Sequence, residues 1–344
     1  MDRITLRQPD DWHLHLRDGA ALHSVLPHTA AQFARAIVMP NLQPPVTTTA
    51  QAVAYRERIL AARPAGSRFE PLMTLYLTDR TDPREISKAK ASGVVYGCKL
   101  YPAGATTNSD AGVTNVSNIL SVFEAMSELG MPLQVHGEVT TPEIDVFLRE
   151  NRFIDTVLAP LADRFPGLRI VFEHVTTKAA VEFVRARPAN VAATITPQHL
   201  LLNRNALFQG GLRPHHFCLP VLKRESDRLA LLDAISVGDP RFFLGTDSAP
   251  HARSAKESAC GCAGIYSAHA ALELYAEVFE SIGALNRLEG FASLFGPRFY
   301  GLPLNEGTVT LERREWQVPD SYPFADGTVV PLRAGNTLGW KMVS

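Results

Sequence analysis

His13-Leu14-His15, a few residues behind the apolar–polar alternation Ile4-Thr5-Leu6, is the stretch from which the fold reads outward. In a strand, residues two apart face the same side, so both imidazoles reach one point at the strand's carboxyl end. Two neutral imidazoles converging on one point are half of a metal site. The triplet therefore directs attention to what stands at the ends of the other strands.

Beyond it the chain repeats a strand and then a helix. Apolar strand candidates are Ala36-Ile37-Val38-Met39, Leu72-Met73-Thr74-Leu75-Tyr76-Leu77, Gly97-Cys98-Lys99-Leu100-Tyr101, Leu133-Gln134-Val135-His136, Ile170-Val171-Phe172-Glu173-His174, Val191-Ala192-Ala193-Thr194-Ile195 and Phe242-Phe243-Leu244-Gly245. They are short and little broken by charge, as parallel strands buried on both faces are. Over 116–129, Ile119, Leu120, Val122, Phe123, Met126 and Leu129 fall at helical spacings, with Gly130 as a stop and Pro132 beyond it. Thr141-Pro142 reads as the cap and first-turn proline of another helix, and 223–237 and 268–282 carry the same periodicity. With the first strand included, eight strands alternate with helices. This predicts an α/β chain folded as a closed (β/α)8 TIM barrel. A single barrel domain is expected, with its core over about 8–300 and a small C-terminal appendage of turns and short strands over about 306–344. The competing open, doubly wound sheet expects a glycine-rich phosphate loop after the first strand, and the sequence has none there.

Composition excludes several functions. The 344 residues are 46% hydrophobic and 20% charged, with 34 basic and 35 acidic side chains giving a net charge of -1. That balance offers neither a nucleic-acid groove nor a patch for an anionic membrane. No run of about 18 apolar residues suggests a span, and Met1-Asp2-Arg3-Ile4-Thr5 lacks the profile of a secretory signal. The four cysteines, Cys98, Cys218, Cys260 and Cys262, are too few for a disulfide framework, and the pair in Cys260-Gly261-Cys262 has no partner at zinc-site spacing. Reduced thiols and a cytoplasmic setting are the expectation.

In a barrel of this kind the active groups stand at the carboxyl ends of the strands. The polar residues there are His13 and His15 on the first strand, Asn41 after the second, Lys99 in the fourth, His136 ending the fifth, His174 ending the sixth and Asp247 after the eighth. Each alone has an ordinary reading: a hydrogen-bonded core histidine, half of a buried ion pair, a helix cap. Four imidazoles, a lysine and an aspartate at one end of one barrel together point to a metal centre. A protonated lysine has no lone pair and would repel the cations. A neutral amine, favoured by burial and by nearby cations, can add carbon dioxide and become a carbamate whose two oxygens bridge two metals. The set suits two divalent ions about 3.5–4 Å apart. Nitrogen and oxygen donors without thiolate favour zinc and leave manganese and cobalt open.

These residues carry a resemblance. Asp11-Trp12-His13-Leu14-His15-Leu16-Arg17, Met39-Pro40-Asn41, Gly97-Cys98-Lys99-Leu100-Tyr101-Pro102, Gly245-Thr246-Asp247-Ser248-Ala249-Pro250-His251 and Lys256-Glu257-Ser258-Ala259-Cys260-Gly261-Cys262-Ala263-Gly264 are similar to stretches of the amidohydrolase superfamily of metal hydrolases, closest to the dihydroorotase family in its shorter bacterial form. Gly104 departs from the pattern, where a bulkier polar residue is expected. The resemblance implies a reversible interconversion of L-dihydroorotate and N-carbamoyl-L-aspartate in pyrimidine synthesis. It implies that His13, His15 and Asp247 hold one metal, that His136 and His174 hold the other, and that Lys99, as N6-carboxylysine, bridges them. A metal-bridging hydroxide attacks, and Asp247 carries its proton to the leaving nitrogen. The substrate carboxylate goes to Arg17, Asn41 and His251, with Arg17 offering a planar fork of donors. Backbone groups near Leu219 and Ala263 read the ring edge, His15 and His136 also border the substrate, and Thr106 and Thr107 in the 104–109 loop close over it as a lid. The resemblance further implies a homodimer.

Two other readings fit the same residues. Another cyclic amidase, of the hydantoinase, dihydropyrimidinase or allantoinase type, shares the metals and differs in the carboxylate set. A metal-free scaffold expects broken ligands, and all six are present.

Overall fold

Arg3–Arg7 (β1) and Asp10–Leu14 (β2) are separated only by Gln8-Pro9, yet the two strands join different sheets in the computed structural model, which describes residues 2–343. Pro9 has no N–H to extend a ladder, and its carbonyl accepts from Ala34 N–H at 2.9 Å, at the start of the barrel. The alternation at Ile4-Thr5-Leu6 is therefore not part of the strand that carries the histidines.

The barrel sheet runs from β2 through Arg35–Val38 (β3), Glu70–Tyr76 (β4), Val95–Leu100 (β5), Leu133–Val135 (β6), Ile170–Phe172 (β7) and Val191–Ile195 (β8) to Phe242–Leu244 (β9), paired in that order and in parallel. It closes where the chain leaving β9 meets β2. Asp247 N–H donates to the His13 carbonyl at 2.9 Å, and His15 N–H to the Ser248 carbonyl at 3.2 Å. With helices outside, this is a (β/α)8 TIM barrel. Side chains alternate across its wall. Cys98, Leu100, Val135, Phe172 and Ile195 join the core shared with the helices, whereas Ile37, Leu72, Val171, Ala192 and Phe243 pack together with Trp12. Tyr300 stacks on Trp12 at 4.5 Å and helps close this inner cluster. Register aligns Lys99 with Gln134, Gln134 with Val171 and Val171 with Ala192, so the lysine shares the inner face.

One glycine is demanded by this closure. A Cβ on Gly245 would lie 2.7 Å from Thr194 Cβ and 3.1 Å from His13 Cβ, so only a bare backbone lets the end of β9 pass that close to the first strand.

The helix expected over 116–129 begins as a 3-10 turn, Val116–Ile119, continues as an α-helix over Leu120–Leu129, and stops at Gly130 with φ +61°. The helix expected to open at Thr141-Pro142 does not. Residues 141–148 make turns, with Ile144 N–H on the Thr141 carbonyl and the Asp145 carboxylate accepting from Phe147 N–H at 2.8 Å. Asp145 offers the backbone a local turn in place of a helical one, and the helix starts later, at Arg149–Phe153. The C-terminal part, Thr308–Gln317 (β10), Tyr322–Phe324 (β11), Gly327–Val329 (β12) and Thr337–Met342 (β13), is built of short strands and turns. Its three-stranded sheet has the order β1-β10-β13, so the N-terminal strand is part of it. Among the described residues no helix is long and apolar enough to cross a membrane.

Candidate metal centre and active site

At the carboxyl end of the barrel His13, His15 and Asp247 come together, with ligand-type atoms all within 4.8 Å of one another. Asp247 Oδ1 lies 3.3 Å from His13 Nε2 and 3.1 Å from His15 Nε2. The imidazoles continue in a row: ring centroids are 5.3 Å apart for His15 and His13, 4.9 Å for His13 and His174, and 4.8 Å for His174 and His136. Two of these residues depend on unusual backbone. Glu173 and His174 are consecutive, yet both belong to this cluster, because His174 takes φ +41° and turns its ring back toward the others. Asp247 sits at φ +44°. Non-glycine residues in this region cost about 1–3 kcal/mol each and persist where surrounding structure enforces them.

Lys99 lies within β5 and is fully buried. Its Nζ makes no hydrogen bond among the described residues; Glu173 Oε2 is 4.0 Å away and the Tyr101 ring centroid 5.2 Å. Burial holds its amine well below the usual lysine range. Burial also lowers His13 to about 3 and pushes His174 well below the ordinary imidazole value. Burial thus disfavours the charged form of these rings, and a neutral imidazole presents a lone pair. Burial alone would raise Asp247, but the imidazoles beside it, His13 foremost, outweigh that and hold its carboxyl well below the usual range.

The cluster floors a small, tightly closed cavity lined also by Arg17, Asn41, Tyr101, Thr106, Thr107, Leu219 and Ala263. Larger open grooves run elsewhere on the surface, without such a cluster among the described residues. Arg17, itself at φ +59°, places a guanidinium nitrogen 3.0 Å from His251 Nε2 and donates from Nε to the Pro250 carbonyl at 3.0 Å. His251 Nε2 is also 3.0 Å from the Ala263 carbonyl, and burial lowers this imidazole to about 2. Asn41 Oδ1 meets His15 Nδ1 at 2.9 Å while its Nδ2 donates to the Thr107 carbonyl at 3.0 Å. Thr107 Oγ1 donates to the Ala263 carbonyl at 3.3 Å, so the 104–109 loop is folded over the cavity, turning at Gly104 with φ +75°.

Sequence reasoning gave no role to four residues that the structure places here. Glu173 contacts His13 Nδ1, Glu138 Oε2 lies 2.9 Å from His136 Nε2, and Tyr101 lines the cavity. Asp11 accepts from Thr246 N–H at 2.9 Å and Thr246 Oγ1 at 2.6 Å, tying β2 to the end of β9. The available signal was an acid inside or beside an apolar strand run, as in Val171-Phe172-Glu173-His174.

A TIM barrel with this histidine–aspartate cluster at its carboxyl end has the architecture of a metal-dependent hydrolase, and the amidohydrolase family profile matches residues 11–312. The chain belongs to the amidohydrolase family. A dihydroorotase from Laribacter hongkongensis is 67% identical over 343 residues, covering 99% of each chain. The crystal structure of a Campylobacter jejuni dihydroorotase superposes with a TM-score of 0.91 at 38% identity, covering 100% of this chain and 98% of the other. A Saccharomyces cerevisiae dihydroorotase solved with 5-fluoroorotic acid superposes with a TM-score of 0.92 at 34% identity, covering 100% and 99%. Within the amidohydrolases the chain falls in the dihydroorotase branch.

Proposed function

We propose that the protein interconverts L-dihydroorotate and N-carbamoyl-L-aspartate, the reversible ring closure of pyrimidine synthesis, at a centre for two divalent cations, zinc by preference. The observation that carries this reading is the adjacency of two sets: four imidazoles, Asp247 and a buried lysine whose Nζ makes no hydrogen bond among the described residues on one side, and Arg17, Asn41 and His251 on the other. The yeast relative's complex with 5-fluoroorotic acid supports a carboxylated pyrimidine as the ligand class.

The donors fit the cations. Lys99 Nζ and His174 Nδ1 are buried atoms without a hydrogen-bond partner among the described residues, and the cluster contains no thiolate. His13, His15 and Asp247 would hold one cation, His136 and His174 the other. The Lys99 amine, held neutral by burial, would add carbon dioxide and release a proton, and the resulting carbamate would supply further oxygen donors to the cations. Divalent cations held there would lower the pKa of a water near neutrality and polarise the ring amide carbonyl.

The chain's own residues do the rest. Arg17, with Asn41 and His251, takes the carboxylate remote from the reacting amide and fixes the ring's orientation. Backbone groups at Leu219 and Ala263 pair with the ring edge. Thr106 and Thr107 close the cavity and exclude bulk water. Asp247, ionised at the outset, accepts the proton of the attacking water as the tetrahedral carbon forms and delivers it to the leaving nitrogen. A cytoplasmic homodimer belongs to the same reading, and the four unpaired cysteines support a reducing compartment.

The test is turnover of L-dihydroorotate beside hydantoin and dihydrouracil, which lack the carboxylate. The expected result is kcat/KM for dihydroorotate at least a hundredfold higher. Equal or better turnover of the neutral rings would move the protein to the hydantoinase-type reading.

A further inference from the structure

Lys256 ends the short helix Arg253–Lys256, and only 3% of it is exposed. Its Nζ donates to three backbone carbonyls: Phe217 at 2.7 Å, Cys262 at 2.7 Å and Gly264 at 2.8 Å. An ammonium has three N–H groups and no lone pair, so all three are engaged. A buried charge is tolerated only when hydrogen bonds satisfy it, and here they come from two separate segments. One lies two residues before Leu219 and the other brackets Ala263, and both of those residues line the cavity. The bracketing carbonyls alternate. Those of Cys262 and Gly264 turn to the ammonium, while that of Ala263 lies 3.0 Å from His251 Nε2 and accepts from Thr107 Oγ1 at 3.3 Å. The 262–263 peptide is trans, so the Ala263 N–H points opposite to the Cys262 carbonyl, away from Lys256. This backbone needs holding: Gly261, Cys262 and Gly264 take φ +70°, +23° and +153°, conformations that persist where surrounding structure enforces them.

We propose that Lys256 is a positioning residue for ring recognition: its ammonium clamps the 217–219 and 262–264 segments together and sets the direction of the backbone groups at Leu219 and Ala263. This rests on the reading above that those groups pair with the ring edge. Gly264 N–H also donates to the Phe217 carbonyl at 3.0 Å, so the two segments already touch and the ammonium fixes how they are turned. Lys256 is not among the residues lining the cavity, so its loss acts on substrate affinity more than on metal or proton transfer. The clamp needs the charged form. A neutral amine has two N–H groups and a lone pair, which would face one of the three carbonyls. Burial lowers Lys256 to about 8. The titratable groups that face it are the Cys218 thiol, pushed up to about 12 by burial, the Cys262 thiol, also raised by burial, and the His251 imidazole, lowered by burial to about 2. Lys256 is therefore the one of these whose charge changes between about pH 7 and 9.

The experiment measures KM and kcat for L-dihydroorotate on zinc-loaded, full-length wild type, Lys256→Met and Lys256→Arg, with metal analysis of the same samples. A second readout is the rate at which Cys262, half-buried in the clamped segment, reacts with a thiol reagent, with the exposed Cys260 as internal reference. Lys256→Met is expected to raise KM about tenfold or more, the scale of one hydrogen bond to a charged group, with kcat changed less and metal content unchanged. Its Cys262 is expected to react faster relative to Cys260. Lys256→Arg, which keeps a cation and its donors, is expected to lie nearer wild type in both readouts. In wild type KM is expected to rise between about pH 7 and 9, and less so in Lys256→Arg. A folded Lys256→Met with wild-type KM and wild-type Cys262 reactivity overturns the proposal, as does one whose kcat and metal content fall while KM stays unchanged. If the variants fail to fold, the wild-type profile decides, and a KM that stays flat across that window overturns it. Absence of dihydroorotate turnover in wild type would strike the proposed activity instead, and Cys262 reactivity, which needs no substrate, would still test the clamp.

Discussion

Lys99 Nζ and Glu173 Oε2 face each other at 4.0 Å, both fully buried, too far apart for a hydrogen bond. A lysine held this way gains little from its charge, and burial favours the neutral amine that carbamate formation requires. Lys99→Ala is expected to lose most activity and about one metal per chain, with small carboxylic acids restoring part of it by standing in for the carbamate oxygens. Full activity with two metals in Lys99→Ala, read by kinetics and metal analysis of one sample, would remove the bridging role.

Arg17 is expected to govern substrate affinity more than chemistry. Its guanidinium is oriented by the Pro250 carbonyl and His251. A hydrogen bond to a charged group contributes about 1.5–3 kcal/mol. Arg17→Ala should therefore raise KM for dihydroorotate at least tenfold with metal content unchanged. Steady-state kinetics equal to wild type would take Arg17 out of the site.

Asp247→Asn keeps the shape and an oxygen donor but cannot carry a proton. It is expected to retain the fold, part of the metal and dihydroorotate binding, and to lose kcat by about 10²–10⁴-fold, the range for a general acid–base group. Near-normal kcat with full metal would assign the proton to another residue, His251 first.

His199 lies outside this chemistry and gives a stability prediction. Burial lowers it to about 4; Thr196 Oγ1 stands 2.7 Å from its Nδ1 and its Nε2 donates to the Pro220 carbonyl at 3.0 Å. In the unfolded chain its pKa is about 6.5. Between those values the unfolded state binds a proton that the folded state refuses, so this contribution is fully present above pH ~6.5 and is lost as pH falls toward ~4. His199→Gln keeps a donor and does not titrate. Denaturation across that window should be less steep in pH for the variant, by at most about 1.4 kcal/mol per pH unit. Identical slopes would place the sensitivity elsewhere.

The barrel was legible because its strands are buried on both faces, which makes them short apolar runs whose polar exceptions stand out. Lys99 and His136 were conspicuous for that reason. Asp145 was not: Thr141-Pro142 has the composition of a helix start, and only the competing turn explains why the helix begins at Arg149. At the N-terminal alternation a strand's pattern does not say which sheet it joins, and β1 pairs with β10 some 300 residues away. Glu173 and Glu138 stayed hidden because an acid's burial depends on the ring it touches, which only the fold brings near. The left-handed backbone at Arg17, His174 and Asp247 leaves no sequence mark, since none is glycine.

Metal content per chain, measured beside dihydroorotate turnover before and after chelation, tests the central claim most directly. The account predicts two divalent ions per chain, activity lost with them, and recovery on adding zinc with bicarbonate. Protein that turns over dihydroorotate without metal, or that is fully active with one ion per chain, would contradict it.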